Sequence, residues 1–475
     1  MLALLCVAQF VVVLDVTIVA IALPAMQAEL GMSTAALGWV ITAYTLTFGG
    51  CLLAAGRLAD RYGRRRGFAA GLTLFMFASL ACGLAPSGAA LLAARAVQGL
   101  GAALIAPSAL ALLTTARPDG PARRRAVGWW TAAAAGGGAG GWMLGGVLSG
   151  LLDWRWVFFV NLPICAVAIA LAFRMLPEQR APSPARPDLL GALVATGGLG
   201  ALVLALTLVS SHGLAAHETL AALAAALVLL AAFAGVEGRA ADPLLDRARL
   251  RRPGVLAPNL VAVALTATTT PPMFFCILHA QQVLGLDPAA AGLLFPPFNV
   301  AVIAGSLAGP RIAAAVGERR AMAGGLSGVA AGALALLAIA PAAPALPSLL
   351  AGFMLLGAGL GVASVASTAR GTAALPSADQ GLASGLLSTS AQVGTVLGLA
   401  LIVPVATART DALGGGPAAE VAGYELGFVL SAAVALAAAG LVELPQRRRR
   451  RARATAFAPT GLSRCAAEPP TRPRS

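Results

Sequence analysis

Residues 2–25 read LALLCVAQFVVVLDVTIVAIALPA, an apolar run interrupted by a single ionisable side chain, Asp15. About 20 consecutive apolar residues form a helix long enough to cross the hydrocarbon core of a bilayer. The run lacks a basic n-region and a clear small-residue cleavage site, which a signal peptide would carry. We therefore predict a retained, membrane-spanning first helix.

Runs of the same kind recur along the whole chain. Hydrophobic residues make up 59% and charged residues 11% of the 475 residues, whereas a soluble domain carries roughly 25% charge. Backbone groups in lipid must pair within their own segment, so these runs are expected to be helices. The sequence predicts an all-α membrane protein with fourteen transmembrane helices, at 2–25, 37–56, 67–85, 88–115, 126–150, 156–176, 189–210, 219–237, 255–279, 290–308, 321–340, 346–369, 383–408 and 423–444.

The distribution of Arg predicts the orientation of these spans. The net charge of +14 is compatible with nucleic-acid binding, but the chain has no Lys, and its 33 Arg lie in short clusters between apolar runs. Loops on the cytoplasmic side of a membrane carry such an excess. With the N-terminus inside, the inner segments hold 30 Arg and the outer loops hold only Arg155 and Arg409. We expect both termini to be cytoplasmic and residues 446–475 to form an Arg-rich, disordered tail.

Several chemical functions find no support in the sequence. Five of the six Cys lie within apolar runs and none forms a CxxC pair, so neither a metal site nor a disulfide framework is expected. A phosphate-binding loop ending in Gly-Lys-Ser/Thr is impossible without Lys, and no hydrolase nucleophile elbow stands out. We expect no cofactor and no metal, no nucleic-acid partner and no enzymatic activity. Since nothing indicates ATP binding, any active transport by this chain would use the proton gradient as its energy source.

Two loops of the chain are similar to each other. Residues 58–66 read LADRYGRRR and residues 312–320 read IAAAVGERR, and they align without a gap, with Gly and two Arg in register. Each follows the second span of a six-helix half, which is a transporter design. We predict an N-terminal six-helix bundle at 1–180, two inserted helices and a linker at 181–250, and a C-terminal six-helix bundle at 251–445.

The loop GRLADRYGRRR at 56–66 resembles the signature after helix two of the major facilitator superfamily. Four further stretches resemble motifs of its fourteen-helix drug:proton antiporter branch. They are LDVTIVAIALP at 14–24, RAVQGLGAA at 95–103, the glycine series of Gly128, Gly137, Gly141, Gly145 and Gly146, and the segment from Gly381 to Gly394. Three positions depart from the family pattern: Ala20 stands for the usual Asn, Trp142 for Pro and Ala391 for Arg.

The resemblance implies roles for particular residues. An ionisable group in the hydrocarbon region costs roughly 2.5–3.5 kcal/mol on insertion scales, so Asp15 and Arg95 are the candidates for function. Asp15 would carry a proton in a central cavity, Arg95 would tune it, and Gln98 would orient Arg95 or water. The alternatives are that Asp15 is a structural partner of polar groups on neighbouring helices and that Arg95 snorkels or caps backbone carbonyls. The implied gating loop comprises Gly56, Asp60, Arg61, Gly63, Arg64 and Arg65. The possible substrate path comprises Gln281, Asn299 and Gln392.

The resemblance also implies an activity. We expect proton-coupled efflux of small lipophilic or cationic compounds across the bacterial cytoplasmic membrane by alternating access. The partners would be a small-molecule substrate, protons and the lipid bilayer, with a monomer as the functional unit. The same fold would serve a dedicated exporter or importer of a single metabolite, and a polytopic membrane enzyme or sensor is a remote alternative.

Overall fold

The fold is described by a computed structural model, which covers residues 1–115, 121–180, 188–213, 216–239, 254–338, 346–374 and 380–443. Within these ranges the chain is helical and contains no strand. We number the membrane-spanning helices α1 to α14 in chain order. They are α1 Leu2–Leu30, α2 Thr34–Tyr62, α3 Arg64–Gly83, α4 Gly88–Thr115, α5 Pro121–Leu151, α6 Trp156–Met175, α7 Leu189–His212, α8 His217–Arg239, α9 Leu256–Val283, α10 Pro288–Val316, α11 Glu318–Ala338, α12 Leu346–Ala373, α13 Gln380–Ala412 and α14 Pro417–Glu443.

Thirteen of these helices are long and apolar enough to cross a membrane. The fourteenth, α5, has 31 residues and packs along α1. Its many glycines have no side chain and therefore add little to its mean hydropathy. The predicted all-α fold with fourteen spans is confirmed.

Helix ends follow from local chemistry. The Ser33 side chain accepts a hydrogen bond from the Ala36 N–H and so begins α2, while Gly31 ends α1 with a left-handed backbone at φ 64°. Asp188 and Asp287 cap α7 and α10 in the same way as Ser33. Helix α1 continues through Pro24 to Leu30, beyond the predicted end of the span at residue 25.

Three helices are irregular. Helix α6 consists of Trp156–Phe159 and Asn161–Met175, and α9 ends in a π-helical segment, His279–Val283. Helix α10 begins with Pro288–Gly292 and restarts at Pro296. Pro296 and Pro297 lie in the first turn of the restarted helix, where a missing N–H leaves no hydrogen bond unmade.

The helices pack in two sets with the same pattern. In the first set α1 packs on α5, α4 packs on α2 and α3, and α6 packs on α3. In the second set α9 packs on α13, α12 packs on α10 and α11, and α14 packs on α11. Each pair in the second set is the first-set pair shifted by eight helices, so α7 and α8 are the inserted helices. Helix α7 contacts both α2 and α13. The residue boundaries of the three domains stay a prediction, and the tail at 446–475 lies outside the described residues.

The two aligned loops adopt the same turn. Gly63 has φ 122° and its N–H donates to Ala59 O at 2.9 Å, and Gly317 has φ 88° and its N–H donates to Ala313 O at 2.9 Å. Backbones with such positive φ favour glycine. The repeat seen in the sequence is therefore a repeat of backbone geometry.

The two bundles meet along α2 and α13 and at the end of the molecule that carries the α1–α2, α5–α6 and α9–α10 loops, the predicted outer end. Gln281 Nε2 donates to Ile21 O at 2.8 Å and Gln282 Nε2 donates to Gln27 Oε1 at 2.6 Å, which joins α9 to α1. The start of α10 packs on α5. This end is therefore closed.

Candidate functional site

Asp15 and Arg95 form an ion pair inside the first bundle. Both residues are 0% exposed, and Arg95 Nη1 donates to Asp15 Oδ2. Gln98 lies three residues after Arg95 on α4 and hence on the same helix face. Its Oε1 accepts from Arg95 Nη1 at 2.7 Å and its Nε2 donates to Asp15 Oδ1 at 2.7 Å. The three residues predicted to act together are in direct contact.

Residues of α2, α3 and α6 complete this buried polar cluster. Asn161 Nδ2 donates to Asp15 Oδ1 at 3.1 Å, and Ser79 Oγ accepts from Gln98 Nε2 at 2.8 Å. The Arg95 guanidinium lies 4.5 Å from the centre of the Tyr44 ring, and Arg95 Nε donates to Val40 O at 3.0 Å. The sequence analysis did not identify these partners, although each is a polar group or ring within an apolar span.

This arrangement holds a charge pair at low dielectric. Three N–H groups, from Arg95, Gln98 and Asn161, converge on the two oxygens of Asp15. Protonation of Asp15 would remove its negative charge and weaken these three hydrogen bonds, so it would change the contacts between α1 and its neighbours. Asp15 lies in the interior of the first bundle rather than in a cavity between the two bundles, which differs from the position expected from the sequence.

The predicted gating loop connects α2, α3 and the end of α6. Asp60 pairs with Arg64 at 2.7 Å across the Gly63 turn, and Arg65 Nη1 donates to Leu176 O at 3.2 Å. The backbone N–H of Arg65 donates to Glu178 Oε1 at 3.2 Å. The remaining predicted members are Gly56, which packs near Pro107, and Arg61, which lies 6.0 Å from the Tyr62 ring.

The second bundle repeats one of these contacts. Arg319, which aligns with Arg65, donates from Nε to Val442 O near the end of α14. Helix α14 corresponds to α6 in the packing pattern. The loop arginine of each half therefore binds a carbonyl group at the end of the sixth helix of that half.

The predicted glycine series provides close packing on two sides of α5. A Cβ atom at Gly137, Gly141 or Gly145 would meet α1, for example Leu14 O at 2.9 Å from position 141. A Cβ atom at Gly146 would lie 2.5 Å from Pro288 O of α10. Gly128 lies in α5, but its surroundings fall outside the described part of the chain. Three glycines thus serve the α1–α5 contact and one serves the contact between the bundles.

The three residues of the predicted substrate path lie where the bundles meet. Gln281 donates to Ile21 O at 2.8 Å, and Gln392 packs against Gly49 of α2. Asn299 is 9% exposed and faces Gly138 of α5. Trp142, which stands where the family pattern has Pro, stacks on Phe295 of α10 with ring centres 4.3 Å apart. Sequence reasoning found no role for this aromatic ring.

Comparisons with known proteins agree with the helix arrangement. The family model described as Major Facilitator Superfamily matches the chain over residues 5–278 and 259–469. The chain is 40% identical to the cephamycin export protein CmcT of Amycolatopsis lactamdurans over 93% of this chain and 91% of that one. It is 37% identical to the puromycin resistance protein pur8 of Streptomyces alboniger over 90% of this chain and 86% of that one.

A third relative and two solved structures extend this likeness. The multidrug resistance protein Stp of Mycobacterium tuberculosis is 34% identical over 85% of this chain and 75% of that one. The crystal structure of the POT family transporter PepTSo matches with a TM-score of 0.68 at 17% identity, over 95% of this chain and 98% of that one. A sulfate complex of another peptide transporter matches with a TM-score of 0.67 at 18% identity, over 93% of both chains. At these identities the structural likeness concerns the fold alone.

Proposed function

Because the chain belongs to the major facilitator superfamily, we propose that it exports small lipophilic compounds of the antibiotic type across the cytoplasmic membrane in exchange for protons. Relatives that share most of its length are named for cephamycin export, puromycin resistance and multidrug resistance. These names favour export over import. The two bundles would rock about a site between them, so that the site faces each side of the membrane in turn.

The Asp15–Arg95 pair is the observation that supports proton coupling. An ionisable residue inside the membrane is costly and marks a proton or ion pathway by default. Asp15 would bind one proton per cycle, and Arg95 would then turn to its remaining acceptors, Val40 O and Gln98 Oε1. Loss of the ion pair would loosen α1 from α4, and α1 packs along α5 through the glycine series. The movement of α1 on protonation of Asp15 would thereby be transmitted to α5, the helix that packs on α10 of the second bundle.

Transport in proteoliposomes with an imposed pH gradient tests this proposal. Asp15→Asn keeps the size of the side chain and removes the exchangeable proton, so we expect proton-driven export to fall at least tenfold while substrate still binds. Undiminished proton-driven export by this variant would refute the assigned role.

Glu29 offers a matched control, because it is a second acid on the same helix. Its carboxylate pairs with Arg155 at 2.7 Å near the outer end. The hydrogen bond to Glu29 raises the pKa of Arg155 above its ordinary value, so Arg155 stays protonated. Glu29 bonds Arg155 and Trp154 rather than the Asp15 cluster. Glu29→Gln should therefore leave the proton dependence of export unchanged.

A further inference from the structure

The contact between α5 and α10 contains an aromatic stack and, one helical turn deeper, an amide. The rings of Trp142 and Phe295 stack with an interplanar angle of 12°. Asn299 follows Phe295 by four residues and Gly138 precedes Trp142 by four, so this second pair lies about 6 Å further into the membrane. A Cβ atom at Gly138 would lie 3.4 Å from Asn299 Oδ1.

Two buried N–H donors at this contact have no partner in the described part of the chain. They are Trp142 Nε1 and Asn299 Nδ2, on residues that are 5% and 9% exposed. Most buried polar atoms in proteins are hydrogen-bonded, so each exception needs an explanation. When the N–H groups of a site donate to an oxygen of the ligand, these donors have no partner while the ligand is absent.

The wall next to these donors is apolar on the α1 side. Val13 of α1 borders Gly138 at 3.8 Å. Because Gly138 has no side chain, Val13 of α1 and Asn299 of α10 approach α5 at the same level, so an apolar side chain lies beside the two donors.

No uncompensated acid is available at this place to attract a cation. The described parts of α4, α5, α9, α10 and α12 contain no Asp or Glu. Among the described residues the buried acids are Asp15, which pairs with Arg95, and Glu237, which lies near the end of α8. Helix α8 packs on α7, away from the α5–α10 contact.

We infer that the Trp142–Asn299 contact is a substrate-binding site, and that it selects neutral or anionic compounds that present a carbonyl or carboxylate oxygen beside an apolar ring. This inference rests on the proposed export function and specifies its substrate class. It excludes lone cations as the preferred substrates, because the site supplies donors and no negative charge. Trp142 and Asn299 donate to oxygens of the substrate, and Val13 of α1 contacts its ring.

Two xanthene dyes of similar size and opposite charge test the inference, namely fluorescein, which carries a carboxylate, and rhodamine 6G, which is a cation. Export of each dye is measured in proteoliposomes with an imposed pH gradient. We expect the wild-type protein to export fluorescein in preference to rhodamine 6G. A preference for rhodamine 6G would overturn the inference.

Variants of Asn299 make the test specific. Asn299→Leu should reduce fluorescein export by about tenfold, since it removes one hydrogen bond to a charged acceptor. Asn299→Asp should reduce it as much and should also increase rhodamine 6G export, because it adds a negative charge at the same place. A dye ratio that neither substitution changes would overturn the inference.

Two further variants guard against a folding artefact. Trp142→Phe keeps the ring for stacking and removes only the N–H, so it should weaken fluorescein export several-fold. Thr389→Val on α13 removes another buried polar atom without a partner, and it should leave the dye ratio unchanged.

Failure of the wild-type protein to move either dye, or any compound of a broad panel, would reject the export function itself. Export that does not respond at positions 142 and 299 would reject only the assigned site.

Discussion

Arg95 is held by more contacts than the ion pair alone. It donates to Val40 O, Gln98 and Asp15, and its guanidinium lies over the Tyr44 ring. Burying two charges is expensive, and the cost is recovered only when pairing and hydrogen bonding are complete. Removal of one charge of the Asp15–Arg95 pair should therefore lower the stability of the protein much more than removal of both.

Substitution of the two charged residues singly and together should show this dependence. Arg95→Met leaves Asp15 unpaired and should lower the free energy of unfolding by about 3–5 kcal/mol. The double variant Asp15→Leu/Arg95→Met should recover most of this loss, because apolar side chains replace the whole pair. Thermal unfolding in detergent measures both effects, and proton-driven export should be lost in both variants. Losses that simply add in the double variant would contradict a coupled pair.

The sequence predicts the centre of this cluster and not its surroundings. Asp15 and Arg95 stand out because an ionisable residue in an apolar run is rare. Asn161 and Ser79 do not, because a single neutral polar residue is common in membrane helices and often bonds its own backbone. Their contacts with Asp15 and Gln98 join residues 146 and 19 positions apart, and only the packing of α1, α3, α4 and α6 brings them together.

At the scale of the helix, α5 owes its packing to missing side chains. An added Cβ at Gly141 would overlap Thr17 and lie 2.9 Å from Leu14 O, whereas at Gly140 the nearest atom is Phe10 Cζ at 3.6 Å. The two positions are adjacent in sequence and have the same backbone conformation. Substitutions at Gly140 and Gly141 therefore separate the effect of steric contact with α1 from the effect of helix propensity.

Alanine at each of these positions should have opposite effects. Gly141→Ala should destabilise the protein by about 1–3 kcal/mol, because it overpacks the α1–α5 contact. Gly140→Ala should be neutral or stabilising by up to about 1 kcal/mol, because Ala favours helix over Gly. The midpoint of thermal unfolding and the export rate report on both. Equal destabilisation by the two variants would show that the glycines serve flexibility rather than close approach.

The sequence predicts the positions of the helices, because hydropathy and the thickness of the lipid determine them. It does not predict where a helix is extended, interrupted or restarted. The run at 2–25 locates α1 but not its continuation through Pro24 to Leu30, since proline usually ends a helix in water. The restart of α10 at Pro296 needs the packing of Phe295 against Trp142 and Phe353. In place of the Pro of the family pattern, Trp142 provides a contact between bundles that no pattern within one helix can reveal.

At the scale of the whole molecule, the two bundles are built alike, and they contact each other at the outer end and along α2 and α13. The turn at Gly63 and the turn at Gly317 have the same hydrogen bond, and Arg65 and Arg319 bind carbonyl groups at equivalent helix ends. Contacts within each bundle are extensive, whereas Gln281 and Gln282 bond α1 through one backbone oxygen and one side chain. At the outer end, therefore, few hydrogen bonds of the described residues would have to break for each bundle to move as a unit.

Closure of this end must be reversible if the protein works by alternating access. Cysteines at positions 27 and 282, whose native side chains are 2.6 Å apart, span α1 and α9 of the two bundles. In a background without the native Cys, a short bis-methanethiosulfonate, which links Gln27→Cys to Gln282→Cys through disulfide bonds, should abolish export, and a reductant that cleaves these disulfides should restore it. Cysteines at Glu29 and Arg155 lie at the same end but within one bundle, so their crosslink should leave export intact. Continued export with the first pair crosslinked would mean that the outer end does not open during transport, and the rocking of the two bundles would have to be abandoned.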